Sequence, residues 1–253
     1  MSGPRRFTVT PEQISGDRVA FDRAESRHMT AVLRLAPGDL VVAVDGRGQD
    51  YTVRLERLGE AAAGTILSVA PSTTEPPLAI SLVQGIPKGD KMEAIVRAAT
   101  ELGVQRVLPA ITERTVMRLE PSRWRDRARR WQRVAKEASK QSGRAVIPEV
   151  ELPRRLDEWL EPQGTSADLR LCLWEGHAPP LASVCDGLIR IPATALVLVG
   201  PEGGLTREEV ERASACGWAL ASLGPRILRT ETAGPAVIAV LQFRFGDLGG
   251  KQP

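Results

Sequence analysis

The stretch ALVLVGPEGGLTREE, residues 195–209, decides the fold. An apolar run of strand length ends in a glycine-rich loop, and a helix start follows in which Thr206 can act as N-cap, with Glu208 and Glu209 in the first turn. A second stretch, SLGPRILRTETA at residues 222–233, again joins a strand pattern to a helix pattern through a glycine-containing turn. Such units are typical of α/β proteins, in which ligands bind at the carboxyl ends of the strands.

Strand and helix patterns alternate on both sides of these two loops, from residue 78 onward. The predicted strands are residues 78–84, 107–111, 169–174, 195–199 and 219–223. The predicted helices are residues 91–102, which Gly103 would end, and residues 122–141, 206–216 and 230–243. The alternation predicts an α/β domain built on a mostly parallel sheet.

The N-terminal part of the chain has a different pattern. Its predicted elements are short strands at residues 7–10, 18–21, 40–44, 51–55 and 64–69, with one helical stretch at residues 24–33. A small β-barrel is expected here, because a closed barrel leaves no open edge. The run PSTTEPP, residues 71–77, holds three prolines and disfavours both helix and sheet. We therefore predict two domains, residues 1–73 and 78–253.

The composition excludes several classes of protein. The three cysteines are widely separated and only two histidines are present, so neither a disulfide framework nor a metal site is expected; buried thiols in a reducing compartment are favoured. No apolar run is long enough to cross a bilayer, and the start MSGPRRFTV does not resemble a signal peptide. We expect a soluble, cytoplasmic protein with no metal and no membrane partner.

Positive charge is concentrated in residues 114–144. This window holds nine Arg and two Lys against three acidic residues, a net charge of +8, whereas the whole chain carries only +3. Arginine suits phosphate recognition because its planar guanidinium can donate two parallel hydrogen bonds. The window therefore indicates contact with nucleic acid, although a solvated helix face is the alternative.

The two glycine loops are candidates for a small-molecule site. Gly200, Gly203 and Gly204 allow positive φ and a close approach of a ligand to the backbone, although a tight structural turn would also need glycine. Neither the GxGxxG fingerprint nor a Lys-Ser/Thr pair is present, which disfavours a dinucleotide or a nucleoside triphosphate. In the second loop, Arg226, Arg229 and Glu231 either form an ion pair that holds the loop or face a ligand.

A third stretch, GIPKGDKMEAIVRAATELGV at residues 85–104, places Lys88 and Lys91 where a helix dipole disfavours cations. An external anion such as phosphate would explain them, and a solvated loop is the alternative. The two histidines, His28 and His177, lie near neither glycine loop and are more simply explained as ordinary surface or core residues. No serine-hydrolase or zinc-protease motif is present.

Together these strings resemble the ribosomal RNA small-subunit methyltransferase E family. The resemblance rests on GPEGG, LGPRILRTETA, KGDKME with ATELGV, the QSGR that ends the basic helix, and HMTAVLRLAPGD at residues 28–39. It covers essentially the whole chain. It implies an N-terminal PUA-like β-barrel and a SPOUT-type α/β domain with a C-terminal trefoil knot, a feature that fold rules would not have suggested.

The resemblance also implies a cofactor, a reaction and a homodimer. Family members transfer a methyl group from S-adenosylmethionine to N3 of a uridine in 16S rRNA, within the small ribosomal subunit. The residues implied to bind the cofactor are Leu173, Trp174, Glu175, Val199, Gly200, Pro201, Gly203, Gly204, Leu223, Gly224, Ile227, Leu228 and Thr232. As catalytic candidates we take Arg229 to stabilise charge on the base, with Glu231 or Glu202 orienting it or accepting a proton.

RNA contacts are expected from three parts of the chain. The candidates are Arg5, Arg6, Arg34, Lys88, Lys91, Arg123, Arg125, Arg129, Arg130, Arg133, Gln141 and Arg144. Aromatic residues make up only 4% of the chain, which favours recognition of backbone and shape over base stacking. The alternatives are ribose 2′-O-methylation by another SPOUT enzyme, and a ribosome-assembly protein that binds RNA without catalysis. A nucleotide-binding enzyme is disfavoured by the missing fingerprints.

Overall fold

The structure, a computed structural model, describes residues 5–117, 119–161 and 167–250. The chain divides into two compact units. The first comprises Met1–Glu75 and Ser139–Ile147, and the second comprises Pro76–Ala138 and Pro148–Pro253. Residues 1–4 of the predicted N-terminal domain lie outside the described residues. The sequence did not predict that a later segment belongs to the first unit.

Six strands form one sheet in the first unit. They are β1 (Arg6–Thr8), β2 (Ile14–Ser15), β3 (Arg18–Ala20), β4 (Leu40–Val44), β5 (Gln49–Arg57) and β6 (Ala63–Pro71). The order is β1-β4-β5-β6-β3-β2, and all neighbours are antiparallel except β1 and β4. Phe7, Val41, Val53 and Leu55 lie in its buried core. The predicted β domain is confirmed, but in the described part of the chain its end strands β1 and β2 are not paired with each other.

The helical stretch that follows β3 contains two kinds of turn. Helix α1 (Arg23–Arg27) begins after Asp22, whose carboxylate accepts a hydrogen bond from the Glu25 N–H at 2.8 Å. A π-helical segment, His28–Val32, follows directly. Arg34 then adopts a φ of +53°, the one positive value at a non-glycine residue in the described chain. The prediction of helix at 24–33 was therefore right in place, although sequence periodicity does not reveal a π turn.

Segment 139–147 is held in the first unit by two acidic residues. The Nζ atom of Lys140 lies 2.7 Å from Glu25, and Nη2 of Arg144 lies 2.6 Å from Glu75. Glu75 also accepts hydrogen bonds from the backbone N–H groups of Ala145 and Val146, at 2.9 and 3.0 Å. These contacts join the segment to Glu25 and Glu75, which lie within residues 1–75. The segment is therefore a structural part of the first unit.

The second unit contains one parallel sheet. Its strands are β7 (Ala79–Gly85), β8 (Val104–Ile111), β9 (Glu149–Val150), β10 (Arg154–Arg155), β11 (Leu169–Leu173), β12 (Thr194–Val199) and β13 (Ala219–Ala221). Its helices are α2 (Lys91–Glu101), α3 (Pro121–Ser142, whose last residues belong to the first unit), α4 (Leu156–Leu160), α5 (Leu181–Asp186), α6 (Arg207–Ala215) and α7 (Thr230–Phe245). The strand order is β10-β8-β7-β12-β11-β13, with β9 beside β8, and every pair is parallel.

Helices cover both faces of this sheet. Alternate residues of β12 point to opposite sides, so that Val197 and Val199 lie in one core cluster and Leu196 and Leu198 in the other. The first cluster includes side chains from α2, α3, α5 and α7, and the second includes side chains from α4 and α6. Burial on both faces explains why the strands read as continuous apolar runs.

The α/β prediction is confirmed, with element ends shifted by a few residues. The Thr206 cap is also confirmed, since its hydroxyl accepts from the Glu209 N–H at 3.2 Å while the Glu209 carboxylate accepts from the Thr206 N–H at 2.8 Å. Gly103 ends α2 as predicted: it follows the C-cap residue Leu102 and has a φ of +87°, the left-handed conformation typical of a glycine that ends a helix. The short elements β9, β10, α4 and α5 were not predicted, and the trefoil knot stays a prediction. No helix in the described ranges has the length and apolarity needed to span a membrane.

Candidate functional site

The carboxyl ends of the central strands converge on the two glycine loops. Strands β7, β12, β11 and β13 are parallel neighbours, with Gln84 opposite Val199 and Leu173 opposite Ala221. The GPEGG loop follows β12 directly, and the LGPRILR loop follows β13. Both loops therefore lie at the same edge of the sheet, as the sequence predicted from the direction of the strands.

A cavity of about 580 Å³ lies between these loops. Every residue proposed above for the cofactor lines it, except Gly203 and Thr232. The catalytic candidates Glu202, Arg229 and Glu231 also line it, together with Lys91. The carbonyl of Gly203 instead accepts a hydrogen bond from Arg114, and the N–H of Thr232 donates to the carbonyl of Arg229 at 2.8 Å. The two loops thus form one site, and the backbone groups of Gly203 and Thr232 are engaged in hydrogen bonds within the chain.

Three glycines are needed because the backbone segments are packed closely. A Cβ atom at Gly85, the last residue of β7, would lie 2.6 Å from Cδ of Pro201. At Gly200 it would lie 2.9 Å from the backbone of Gly204. Gly204 has φ +70°, and a Cβ there would collide with the carboxylate of Glu175. The GPEGG loop is therefore packed closely against the end of β7 and against Glu175, which follows β11.

A buried polar network ties the start of α7 to the GPEGG loop. The Thr230 hydroxyl donates to the carbonyl of Gly200 at 2.7 Å. Nε2 of Gln84 donates to the Thr230 hydroxyl and to the Gly85 carbonyl, each at 2.9 Å. Gln84 is fully buried at the end of β7. An amide in an apolar strand is costly unless it is hydrogen-bonded, so its presence marks a place where loop geometry is specified.

Three charged side chains meet at one wall of the cavity. Nζ of Lys91 lies 3.0 Å from Oε1 of Glu202 and 3.7 Å from Oε2 of Glu231. The Lys88 N–H also donates to both oxygens of Glu202, at 3.1 and 3.2 Å. Burial opposes ionisation of Glu202, but the hydrogen bonds from Lys91 and from backbone N–H groups outweigh it and hold its pKa below the usual value. The hydrogen bond to Glu202 is also the main reason why the pKa of Lys91 is raised.

Arg229 and Glu231 line the cavity, and each has a polar group without a hydrogen-bond partner in the described chain. Oε2 of Glu231 is buried, and it has no hydrogen-bond partner within the described chain, since 3.7 Å to Lys91 is only an ion-pair distance. Arg229 is the N-cap residue of α7 and is exposed. Across the described ranges, no hydrogen bond or ion pair engages its guanidinium. The ion pair, one of the two alternatives for these residues, is thus absent there, and both residues line the cavity.

The candidate RNA contacts fall into two groups. Helix α3 buries Trp124, Ala128, Trp131 and Ala135 and exposes Arg123, Arg125, Arg129, Arg130 and Arg133. Arg130 pairs with Glu93 at 2.6 Å, and Arg129 lies 3.4 Å from Asp126. Arg5, Arg34, Lys88 and Gln141 are exposed as well. The sequence predicted a basic helix, and in the structure the arginines of α3 lie on its exposed face.

Besides Arg129 and Arg130, three basic candidates are paired with carboxylates of their own chain. Arg6 pairs with Asp50 at 2.5 Å, and Lys91 pairs with carboxylates of its own chain. Arg144 is a correction, because only 5% of it is exposed and its guanidinium binds Glu75. Charge count alone could not distinguish it from the exposed arginines, since its partner lies far away in the sequence.

Family models and known proteins match most of this chain. A family model described as an RNA methyltransferase domain matches residues 74–242, and one described as an RNA methyltransferase PUA domain matches residues 21–63. Ribosomal RNA small subunit methyltransferase E of Synechocystis is 35% identical over 92% of this chain and 76% of that protein. The Bacillus subtilis protein of the same name is 29% identical over 90% of this chain and 91% of that protein.

Solved structures show the same fold. The Neisseria gonorrhoeae ribosomal RNA small subunit methyltransferase E, bound to S-adenosyl methionine, has a TM-score of 0.83 and 35% identity, covering 97% of this chain and 99% of that chain. A putative methyltransferase from Legionella pneumophila, in complex with the same cofactor, has a TM-score of 0.82 and 31% identity, covering 98% of this chain and 100% of that chain. By the family model and by these relatives, the chain belongs to the ribosomal RNA small subunit methyltransferase E family.

Proposed function

We propose that this protein uses S-adenosylmethionine to methylate N3 of a uridine in 16S rRNA of the small ribosomal subunit. One observation carries the proposal: the GPEGG and LGPRILR loops enclose a single cavity at the carboxyl edge of the parallel sheet. The Neisseria and Legionella structures of the same fold are described as holding this cofactor. A cytoplasmic location is part of the proposal, because ribosomal RNA is the substrate.

The residues of the cavity fit S-adenosylmethionine. Gly200 and Gly204 let the GPEGG loop fold tightly on itself and against Glu175, since Cβ atoms there would occupy space that neighbouring atoms already hold. Apolar walls come from Leu173, Val199 and Leu223. A carboxylate oxygen of Glu231, buried without a hydrogen-bond partner in the described chain, offers an acceptor for a cationic ligand. When bound, the cofactor supplies a methyl group that a nitrogen nucleophile can attack.

The mechanism requires the uridine N3 proton to leave. In this proposal the exposed guanidinium of Arg229 stabilises the negative charge that develops on the base, and Glu231 accepts the proton. Glu202 orients the site and does not accept the proton, because Lys91 and the Lys88 N–H already engage both of its oxygens. The same loop residues hold the base in place, so positioning contributes much of the acceleration.

The target uridine must be unpaired or turned out of its stack, because N3 lies on its pairing edge. We propose that the exposed arginine face of α3 binds the surrounding RNA, with Gln141, Lys88, Arg5 and Arg34 as further contacts. With about five phosphate contacts, log K should fall against log salt with a slope of roughly −4. An affinity that does not change with salt would contradict this interface.

A homodimer belongs to the proposal as well. Helix α7 packs Val237, Ile238 and Leu241 into the core, yet it leaves Val240 and Phe243 exposed on its other side. Phe243 is 65% exposed and lies one helical turn from Val240, so the two side chains form an exposed apolar surface of the kind that marks a contact with another protein. We assign that surface to a second copy of the chain. Light scattering should give a dimer mass for the wild type and a monomer mass for Phe243→Glu.

The decisive experiment maps methylated nucleotides in small-subunit rRNA from cells with and without this protein. Mass analysis of digested RNA should show N3-methyluridine only when the protein is present. Arg229→Ala should abolish the product, whereas Arg190→Ala, a matched change at an exposed arginine that does not line the cavity, should retain it. Ribose methylation instead would favour another SPOUT activity. No binding of S-adenosylmethionine in calorimetry would favour a non-catalytic assembly protein.

A further inference from the structure

Lys91 connects three separate segments at the cavity wall. It is the first residue of α2, and its ammonium contacts Glu202 of the GPEGG loop and Glu231 in the first turn of α7. The backbone beside it takes part, because the Lys88 N–H donates to the same Glu202 carboxylate. The side chain thus stands between the two loops that enclose the cavity.

The position of Lys91 needs an explanation that its own helix does not supply. A cation in the first turn is disfavoured by the helix dipole, and the Asp90 side chain makes no capping hydrogen bond there. Two carboxylates of one chain close together would also repel each other. Placing the ammonium between the two carboxylates removes both difficulties. The carboxylates offset the positive charge at the helix start, and the ammonium offsets the repulsion between the carboxylates.

We propose that Lys91 is a positioning residue of the methyl-transfer site: it joins the GPEGG loop to the start of α7 and holds Glu231 toward the cavity, and it is not an RNA contact. This inference rests on the proposed function. It replaces the external phosphate expected for Lys91 from its sequence position with an internal partner, Glu202.

The chain offers a matched control. Lys88 lies three residues earlier, is exposed, and within the described ranges its ammonium makes no hydrogen bond or ion pair. Lys88→Met and Lys91→Met therefore remove the same charge from the same segment, but only the second removes the connection. Lys91→Arg keeps a cation in place and tests whether charge is what matters.

The experiment measures three quantities on the full-length protein. Calorimetry with S-adenosylmethionine should show about tenfold weaker binding for Lys91→Met, a typical coupling for contacting charges, with recovery in Lys91→Arg and no change in Lys88→Met. Hydrogen exchange at residues 200–205 should become faster in Lys91→Met alone. The slope of RNA affinity against salt should stay at the wild-type value in Lys91→Met.

Two results would overturn the inference. One is a salt slope reduced by about one in Lys91→Met with unchanged cofactor binding, which identifies a phosphate contact. The other is unchanged exchange at residues 200–205, which shows that Lys91 does not hold the loop. If wild-type protein binds no S-adenosylmethionine, the proposed function fails, and the exchange data still decide whether Lys91 joins the loops.

Discussion

The substitution Gly85→Ala tests whether close backbone packing builds the cavity. A Cβ at residue 85 would lie 2.6 Å from Cδ and 2.7 Å from N of Pro201, and 2.9 Å from the carbonyl carbon of Gly200. These atoms belong to a backbone and a proline ring, so no flexible side chain can move aside. Overpacking of this kind costs about 1–3 kcal/mol, which for a chain of this size lowers Tm by roughly 4–8 °C at the middle of that range.

The same change should weaken cofactor binding, because a displaced Gly200 loses its hydrogen bond from Thr230. Differential scanning calorimetry gives Tm, and titration with S-adenosylmethionine gives the affinity. Gly187→Ala is the control: Gly187 has a φ of −78°, and a Cβ there would lie 3.5 Å from its nearest neighbour, the Ser183 carbonyl oxygen. Our reasoning is wrong if Gly85→Ala keeps both the wild-type Tm and the wild-type affinity.

Three further predictions concern charge and burial. Glu75→Ala should destabilise the first unit by about 3–5 kcal/mol in urea titrations, because it leaves Arg144 charged and buried without its carboxylate. The pairing of Glu202 with Lys91 should stabilise the protein fully above pH 4.5, the ordinary pKa of Glu202, and the contribution should disappear as pH falls through its lowered folded-state pKa. Urea midpoints that fall no further in wild type than in Glu202→Gln between pH 5 and pH 3 would contradict it. Burial raises the pKa of the Cys172 thiol to about 12, so iodoacetamide at pH 8 should not label it in the folded protein, as peptide mass analysis can check.

Features of the site that depend on short-range sequence were predictable. The Thr206 cap and the helix of residues 207–215 follow from interactions within three or four residues. The meeting of the two glycine loops follows from strand direction, because parallel neighbours end at one edge of the sheet. These predictions were possible because none of them requires knowing which residues far away in the sequence form contacts with the site.

Features that depend on distant partners were not predictable. Lys91 stood out as an unfavourable cation, but nothing near it in the sequence indicates Glu202 or Glu231 as its counter-ions. Gln84 was part of a predicted strand, and only the tertiary structure shows its amide bonded to Thr230. For the same reason the two-residue strands escaped prediction, since their pairing is entirely non-local.

The return of residues 139–147 to the first unit has a consequence for synthesis and for dissection of the protein. During translation, residues 1–75 leave the ribosome before residues 139–147. The carboxylates of Glu25 and Glu75 therefore lack their partners Lys140 and Arg144 until α3 has been synthesised. A fragment that ends after Glu75 lacks those cations altogether and should fold less stably than its strands suggest. A single cut in the peptide chain cannot separate two whole units. The chain runs from the first unit into the second, returns to the first at residues 139–147, and then enters the second unit again.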